Sequence, residues 1–470
     1  MSSTLCRSAQ ACTTLSPRGL QRINSTCVAH RAAPWNQHTA AAAAAKRRQG
    51  RHTLRVRAIG FELPGAEPSK SAEKAAEELC RSAASLLLYS AVFKGKPAQA
   101  FLGVLQLLQK GNPLLLVQQY GELYRLLAAD GYASWLDYLL DQVVKGADNP
   151  LARAAAAGKP TQHLHAAAAH DLAQLQQLAV TETTLASWVK DTAFGLSGEW
   201  LGAASSLAPA VPEQQPEPIH KALLAAAEPP AALAAPLSAA QRAGLRAELA
   251  SKWRWSEGVE LLTRYYATHG CGLVSQHSVF VWTGKLQAQD VLKGAYELQA
   301  AEESGLVAPH HSAAATLTAV LTDFLGQDVS HTCSPPHVAV CGNATDRWLH
   351  TAWALQRIGE QITDKEHLAA AAAGLRTLVL PANQVGSLAD LAWSLSQHPR
   401  TRFAVCINAG LDVNGSSPVI ADAAAMFSGY DGFSWPANAL LIAGFSSAPS
   451  PDLAPVFGDR IARVEPRQAA

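Results

Sequence analysis

HVAVCGNATDRWL, residues His337–Leu349, decides how the last third of the chain is read. Four apolar residues, Val338–Cys341, lead to Gly342, and the run TAWALQRIGE that follows (351–360) has helical spacing. A strand that ends in glycine and opens into a helix is the setting of the phosphate-binding loop G-x-x-x-x-G-K-[ST]. Counted from Gly342, the second glycine position is Arg347, the lysine position Trp348 and the hydroxyl position Leu349. In a working loop the lysine meets the phosphates and the hydroxyl ligates Mg²⁺. Neither group is present. One glycine after an apolar strand says little by itself; the residues around it say more.

Downstream, short apolar runs alternate with helical stretches. The runs are VAVC (338–341), TLVL (377–380), FAVCI (403–407), ALLIAGF (439–445) and RIARV (460–464). Helical spacing fills about 348–373, 385–397 and 419–428. This alternation predicts an α/β domain with a doubly wound parallel sheet. Upstream, residues 69–183 carry apolar positions every three or four residues, broken at Gly111-Asn112-Pro113 and Asn149-Pro150, and read as helices. Residues 205–236 hold seven prolines and read as a linker. Helical spacing resumes at 237–268, and 272–286 alternates like a hairpin. The expected organisation is a leader (1–58), a mostly α-helical domain (59–204), a linker (205–238), a connector with helix and hairpin (239–300) and the α/β domain (301–470).

Composition narrows the class. No apolar run reaches the ~18–20 residues of a membrane span, so no transmembrane segment is expected. Residues 1–61 hold ten Lys/Arg and no acid; Glu62 is the first. With abundant Ser, Thr and Ala and no compact apolar stretch, this is transit-peptide composition. Val56-Arg57-Ala58 resembles the processing sites of algal chloroplast precursors, so the expected location is the chloroplast stroma. Without that leader, 28 of the 38 basic residues remain against 37 acidic ones, a net of −9. An acidic chain of this kind is not expected to hold nucleic acid, which needs basic patches. Five cysteines lie beyond the leader, too scattered for a disulfide framework. His331, Cys333, His337 and Cys341 fall within eleven residues, but Pro335-Pro336 interrupts them and Cys341 ends an apolar strand, so no metal site is expected. Trp135 and Tyr138 share a helical turn and read as packing residues.

Several long stretches resemble one family: the AAA+-like P-loop proteins catalogued as domain of unknown function 815, found in bacteria and plastids. The resemblance rests on YGELYRLLAADGYASWLDYLLDQVVKGADNPLARAAA (Tyr120–Ala156), AAHDLAQLQQLA (Ala168–Ala179), LLTRYYATHGCGLVSQHSVFVW (Leu261–Trp282) and GLRTLVLPANQVGSLADLAWSLSQHPRTRFAVCINA (Gly374–Ala409). It implies a helical domain followed by a P-loop NTPase-like α/β module. Family members resemble GDRGTGKSS where this chain has GNATDRWLH (Gly342–His350). They carry paired acids after the strand that here ends FAVCI, where this chain has Asn408 and Ala409, and tend to have Asn at the sensor position near Ser446. A small helical lid usually closes the module, whereas only a few residues follow Val464 here.

The degenerate nucleotide positions are therefore Gly342, Arg347, Trp348, Leu349, Asn408, Ala409 and Ser446. Trp348 brings bulk and no charge, Asn408 removes an anionic ligand for a hard cation, and Ala409 cannot orient a water. The expectation is a non-catalytic AAA+-like pseudoenzyme with no cofactor and no catalytic residue. It would work as a scaffold or regulatory subunit beside a protein partner such as an intact AAA+ paralogue. The alternative is a protein that binds or hydrolyses ATP, with Mg²⁺, through an unusual site.

Overall fold

Helix signals in the first half of the chain become helices with the caps the sequence writes for them. The computed structural model describes residues 70–193, 223, 232–292, 298, 302–303, 312–327, 337–362, 366–407, 435–447, 449 and 454–464. The leader, most of the linker and the 419–428 helix lie outside these residues. The helical layer comprises α1 (Lys70–Ala84), α2 (Lys96–Lys110), α3 (Pro113–Ala129), α4 (Trp135–Lys145), α5 (Pro150–Ala156), α6 (Gln162–Leu178), α7 (Glu182–Thr192), α8 (Ala239–Ser251) and α9 (Val259–His269). Asn112 and Asn149 cap α3 and α5 with their side-chain oxygens, and Pro113 and Pro150 take the first helical position. There a missing N–H goes unnoticed. Ser134 caps α4, and Gly146 ends it with φ 57°. Ser238 and Gln241 form a reciprocal capping box at the start of α8.

Trp135 is the centre of the helical core. Its ring stacks on Phe101 at 4.0 Å and lies 5.5 Å from Tyr138. Its Nε1 donates to Leu178 O at 2.8 Å, so the one polar atom of the indole is satisfied while the ring is buried. The expected packing role of Trp135 and Tyr138 is the observed one. Asp171, fully buried on α6, accepts from the backbone N–H groups of Leu87, Leu88 and Tyr89 and fixes the loop after α1.

The second half is α/β. Seven strands, β1 (Val279–Trp282), β2 (Leu286–Gln289), β3 (Val338–Cys341), β4 (Arg376–Val379), β5 (Phe403–Ile407), β6 (Ala439–Phe445) and β7 (Ile461–Arg463), form one sheet. Its order is β2-β1-β4-β5-β6-β3-β7. All neighbouring pairs are parallel except the β1–β2 hairpin. β3, β5 and β6 are buried at every position, as a sheet covered on both faces requires. Val338 and Val340 pack with α10 (Ser312–Gly326), α11 (Ala344–Gln361) and α12 (Glu366–Ala373). Ala339 and Cys341 face the other way, toward the core of α13 (Leu388–Ser396) and α14 (Ala454–Phe457). The doubly wound sheet expected from the sequence is present, with the hairpin added at its edge.

The described residues belong to one compact unit. Three arginines, Arg376 and Arg402 buried and Arg400 half-buried, join neighbouring elements through backbone carbonyls. Arg376 reaches Val274, Gly374 and Ala234. Arg400 reaches Ala155 and Ala156. Arg402 reaches Phe324 and Gln327 at the end of α10 and lies over the Phe324 ring. Among the described residues no helix is long and apolar enough to cross a membrane.

Candidate functional site

The candidate nucleotide site lies where the sheet changes direction. The chain leaves β3 for β4, three places away, then returns through β5 to β6 beside β3. From β6 it crosses β3 to reach β7. The connections leaving β3 and β6 thus run in opposite directions, and in open α/β sheets the crevice outside the carboxyl ends at such a point is where ligands bind. Because β5, β6 and β3 are parallel neighbours, Gly342, Ser446 and the segment that begins at Asn408 follow strand ends on the same edge of the sheet. Asn408 and Ala409 themselves lie outside the described residues. Ser446 is exposed just past β6.

The loop after β3 is closed. Gly342 has φ 144°, and a Cβ there would sit 3.0 Å from Val464 Cβ, so the chain turns where only glycine fits. Helix α11 begins two residues later, at Ala344. The expectation placed helical structure from about 348; the observed start is four residues earlier because Asn343 is an N-cap. Its Oδ1 accepts from Asp346 N at 3.0 Å, and its Nδ2 donates to the Asp346 carboxylate. Asp346 is 3% exposed. A carboxylate in the first turn meets the positive end of the helix, which is where a phosphate would otherwise bind. The residues that would curl around a phosphate are instead a cap and one helical turn.

Arg347 is 2% exposed and folds back so that Nη1 donates to Gly342 O. Its guanidinium crosses the end of β6 at Gly444, where a Cβ would lie 3.0 Å from Arg347 Nε and 3.1 Å from Ile407 O. Trp348 is half-buried, and Leu349 is buried among the residues under α11. Among the described residues a cavity of about 10 Å³ lies beside this guanidinium, lined by Val340, Arg347, Trp348, Thr351, Cys406, Ile407, Ile442 and Gly444. That is room for about one water, against about 300–1,000 Å³ for a small-molecule pocket. Burial pushes the Cys406 thiol up to about 12, so it stays protonated at neutral pH.

The structure thus brings Gly342, Arg347 and Trp348 together, puts Leu349 in the core and leaves Ser446 at the surface. Asn343, Asp346 and Gly444 were not singled out from the sequence. The spacing Asn343-x-x-Asp346 is a capping signal that could have found the first two.

His337 and Cys341 bracket β3, about 13 Å apart at strand rise, and cannot share one metal ion. His337 Nδ1 accepts from Leu441 N at 3.2 Å, and burial, helped by Arg460, pulls its pKa down to about 3. His331 and Cys333 lie outside the described residues. Among the described residues no three His, Cys, Asp or Glu side chains form a metal-binding group.

No protein family, curated protein or solved structure matches the chain.

Proposed function

We propose that this is an AAA+-like P-loop protein that has lost its nucleotide site and serves as a scaffold or regulatory partner, with the chloroplast stroma as its location. The closed loop after β3 carries the reading: α11 starts at Ala344, and Arg347 is fastened to Gly342. Phosphoryl transfer depends on positioned cations and amides around the phosphates. Here the amides are spent on a helical turn, the cation holds a carbonyl, and a buried carboxylate stands at the helix end. The family resemblance supplies the AAA+ part of the proposal, and the basic, acid-free first 61 residues supply the location. An intact AAA+ paralogue is the partner this reading favours.

Thermal unfolding of the full chain with Mg²⁺ alone and with Mg-ATP at millimolar concentration tests it. The expected result is the same melting temperature in both. A ligand at ~100 times its dissociation constant adds about 2.7 kcal/mol, a rise of several degrees. A rise of that size with Mg-ATP but not with Mg²⁺ would overturn the proposal in favour of a nucleotide-binding protein.

A further inference from the structure

The turn between α8 and α9 carries a feature that the closed site does not explain. It reads Lys252-Trp253-Arg254-Trp255. Trp255 is buried and anchors the turn, while Trp253 is 86% exposed, the largest exposure among the bulky apolar side chains described. A lone exposed apolar residue is ordinary. This one is held in place. The side-chain amide of Gln176 on α6 grips the backbone on both sides of Arg254, next to the ring, donating to Trp253 O at 2.9 Å and accepting from Trp255 N at 3.0 Å. The next turn is closed by Glu257 N donating to Arg254 O at 3.0 Å. Lys252 and Arg254 flank the indole, and among the described residues no carboxylate lies within ion-pair distance of either, the nearby Glu257 included.

We infer that this turn is a docking site for an acidic peptide segment of a protein partner, with Trp253 as the apolar anchor and Lys252 and Arg254 as the charge that selects it. The inference stands apart from the fate of the nucleotide site. Tryptophan between cations is the composition of interface hot spots, where a few aromatic and basic residues carry most of the binding energy. A backbone already fixed by Gln176 loses little freedom on binding. Two cations with no carboxylate partner among the described residues favour an acidic segment over a neutral one at this turn. They are too few for a nucleic-acid backbone, where affinity grows with each phosphate neutralised. One indole also gives far less apolar area than the wide face with which a chain lies on a membrane.

Peptide display against the immobilised full chain tests the inference, followed by anisotropy with the enriched peptide at low and high salt. The expected result is enrichment of acidic peptides. Their binding should weaken at least tenfold in Trp253→Ala and in the double variant Lys252→Glu/Arg254→Glu, and should fall with salt. Circular dichroism and melting temperature should stay as in the parent chain, since all three side chains are outside the core. A failure to enrich acidic peptides, or binding untouched by these substitutions, overturns it. So does Trp253-dependent binding to phosphatidylcholine–phosphatidylglycerol vesicles or to oligothymidylate in place of peptide.

Discussion

Replacing Arg376 with methionine asks whether carbonyl-bound arginine holds the helical layer on the sheet. Arg376 is fully buried at the start of β4. Nε donates to Val274 O at 2.9 Å, Nη1 to Gly374 O at 2.6 Å and Nη2 to Ala234 O at 3.0 Å. Burial pulls its pKa down to about 10, with Tyr265 opposing in part. That depression corresponds to about 3 kcal/mol against the charged form. Three hydrogen bonds from a charged donor contribute about 1.5–3 kcal/mol each, so the bonds outweigh the burial by a few kcal/mol. Methionine fills much of the volume but leaves three dry carbonyls, each costing about 1–3 kcal/mol. The expected loss is about 3 kcal/mol or more, seen as a lower urea midpoint and a melting temperature down by roughly 6 °C. Hydrogen exchange should quicken at Ala234 N and Thr377 N, which bond Thr268 O and Ser278 O across the same seam. Lysine should not rescue, because one ammonium cannot reach three carbonyls in a planar fork. A methionine variant as stable as the parent, as happens when some buried charges are replaced by apolar groups, would refute the reasoning.

Two further outcomes follow from buried polar groups. Asp171→Ala should cost about 3 kcal/mol or more in chemical denaturation, because it orphans the N–H groups of Leu87, Leu88 and Tyr89, while Asp171→Asn, which keeps one acceptor, should lose less; equal losses would argue against the clamp. His337 is a base whose folded pKa, about 3, lies below its ordinary 6.5, so its protons favour the unfolded chain. Stability should be full above pH 6.5 and fall as pH drops toward 3, by up to about 1.4 kcal/mol per pH unit, with His269 and His398 adding in the same direction. Denaturant titrations at several pH values should show a shallower fall in His337→Phe.

The parts of the fold legible in the sequence are those where one signal acts alone. The runs 338–341, 403–407 and 439–445 are strands over those same residues, because continuous apolar stretches bounded by polar residues have few other places to go. The apolar run TLVL spans 377–380, but β4 is Arg376–Val379. A charged residue reads as a strand boundary, and only the three carbonyls around it make Arg376 a strand residue. The hairpin expected at 272–286 is found at 279–289, with Gly272–Ser275 a short 3₁₀ turn. Its pairing with β4 joins residues about a hundred positions apart, which no local pattern encodes. The candidate site was legible as missing chemistry but not as shape, since a motif comparison names absent residues and is silent on what the replacements do.

The residues at these positions have work of their own. Arg347 and Leu349 look like losses when set against a phosphate loop, yet each belongs to a closed arrangement in which Arg347 fastens the strand end and Leu349 fills the core. Opening a cradle between Gly342 and Arg347 would require unwinding the first turn of α11. That undoes the Asn343 cap, worth about 1 kcal/mol, and the Arg347–Gly342 bond, worth about 1.5–3 kcal/mol. Together they hold the loop shut by roughly 3 kcal/mol, so an open loop would be populated at about one part in a hundred. Any nucleotide would bind about a hundredfold more weakly for that reason alone, before counting the absent lysine and the buried carboxylate of Asp346. Placing Lys at 348 by itself therefore cannot make a phosphate site, because the helix that carries it begins too early.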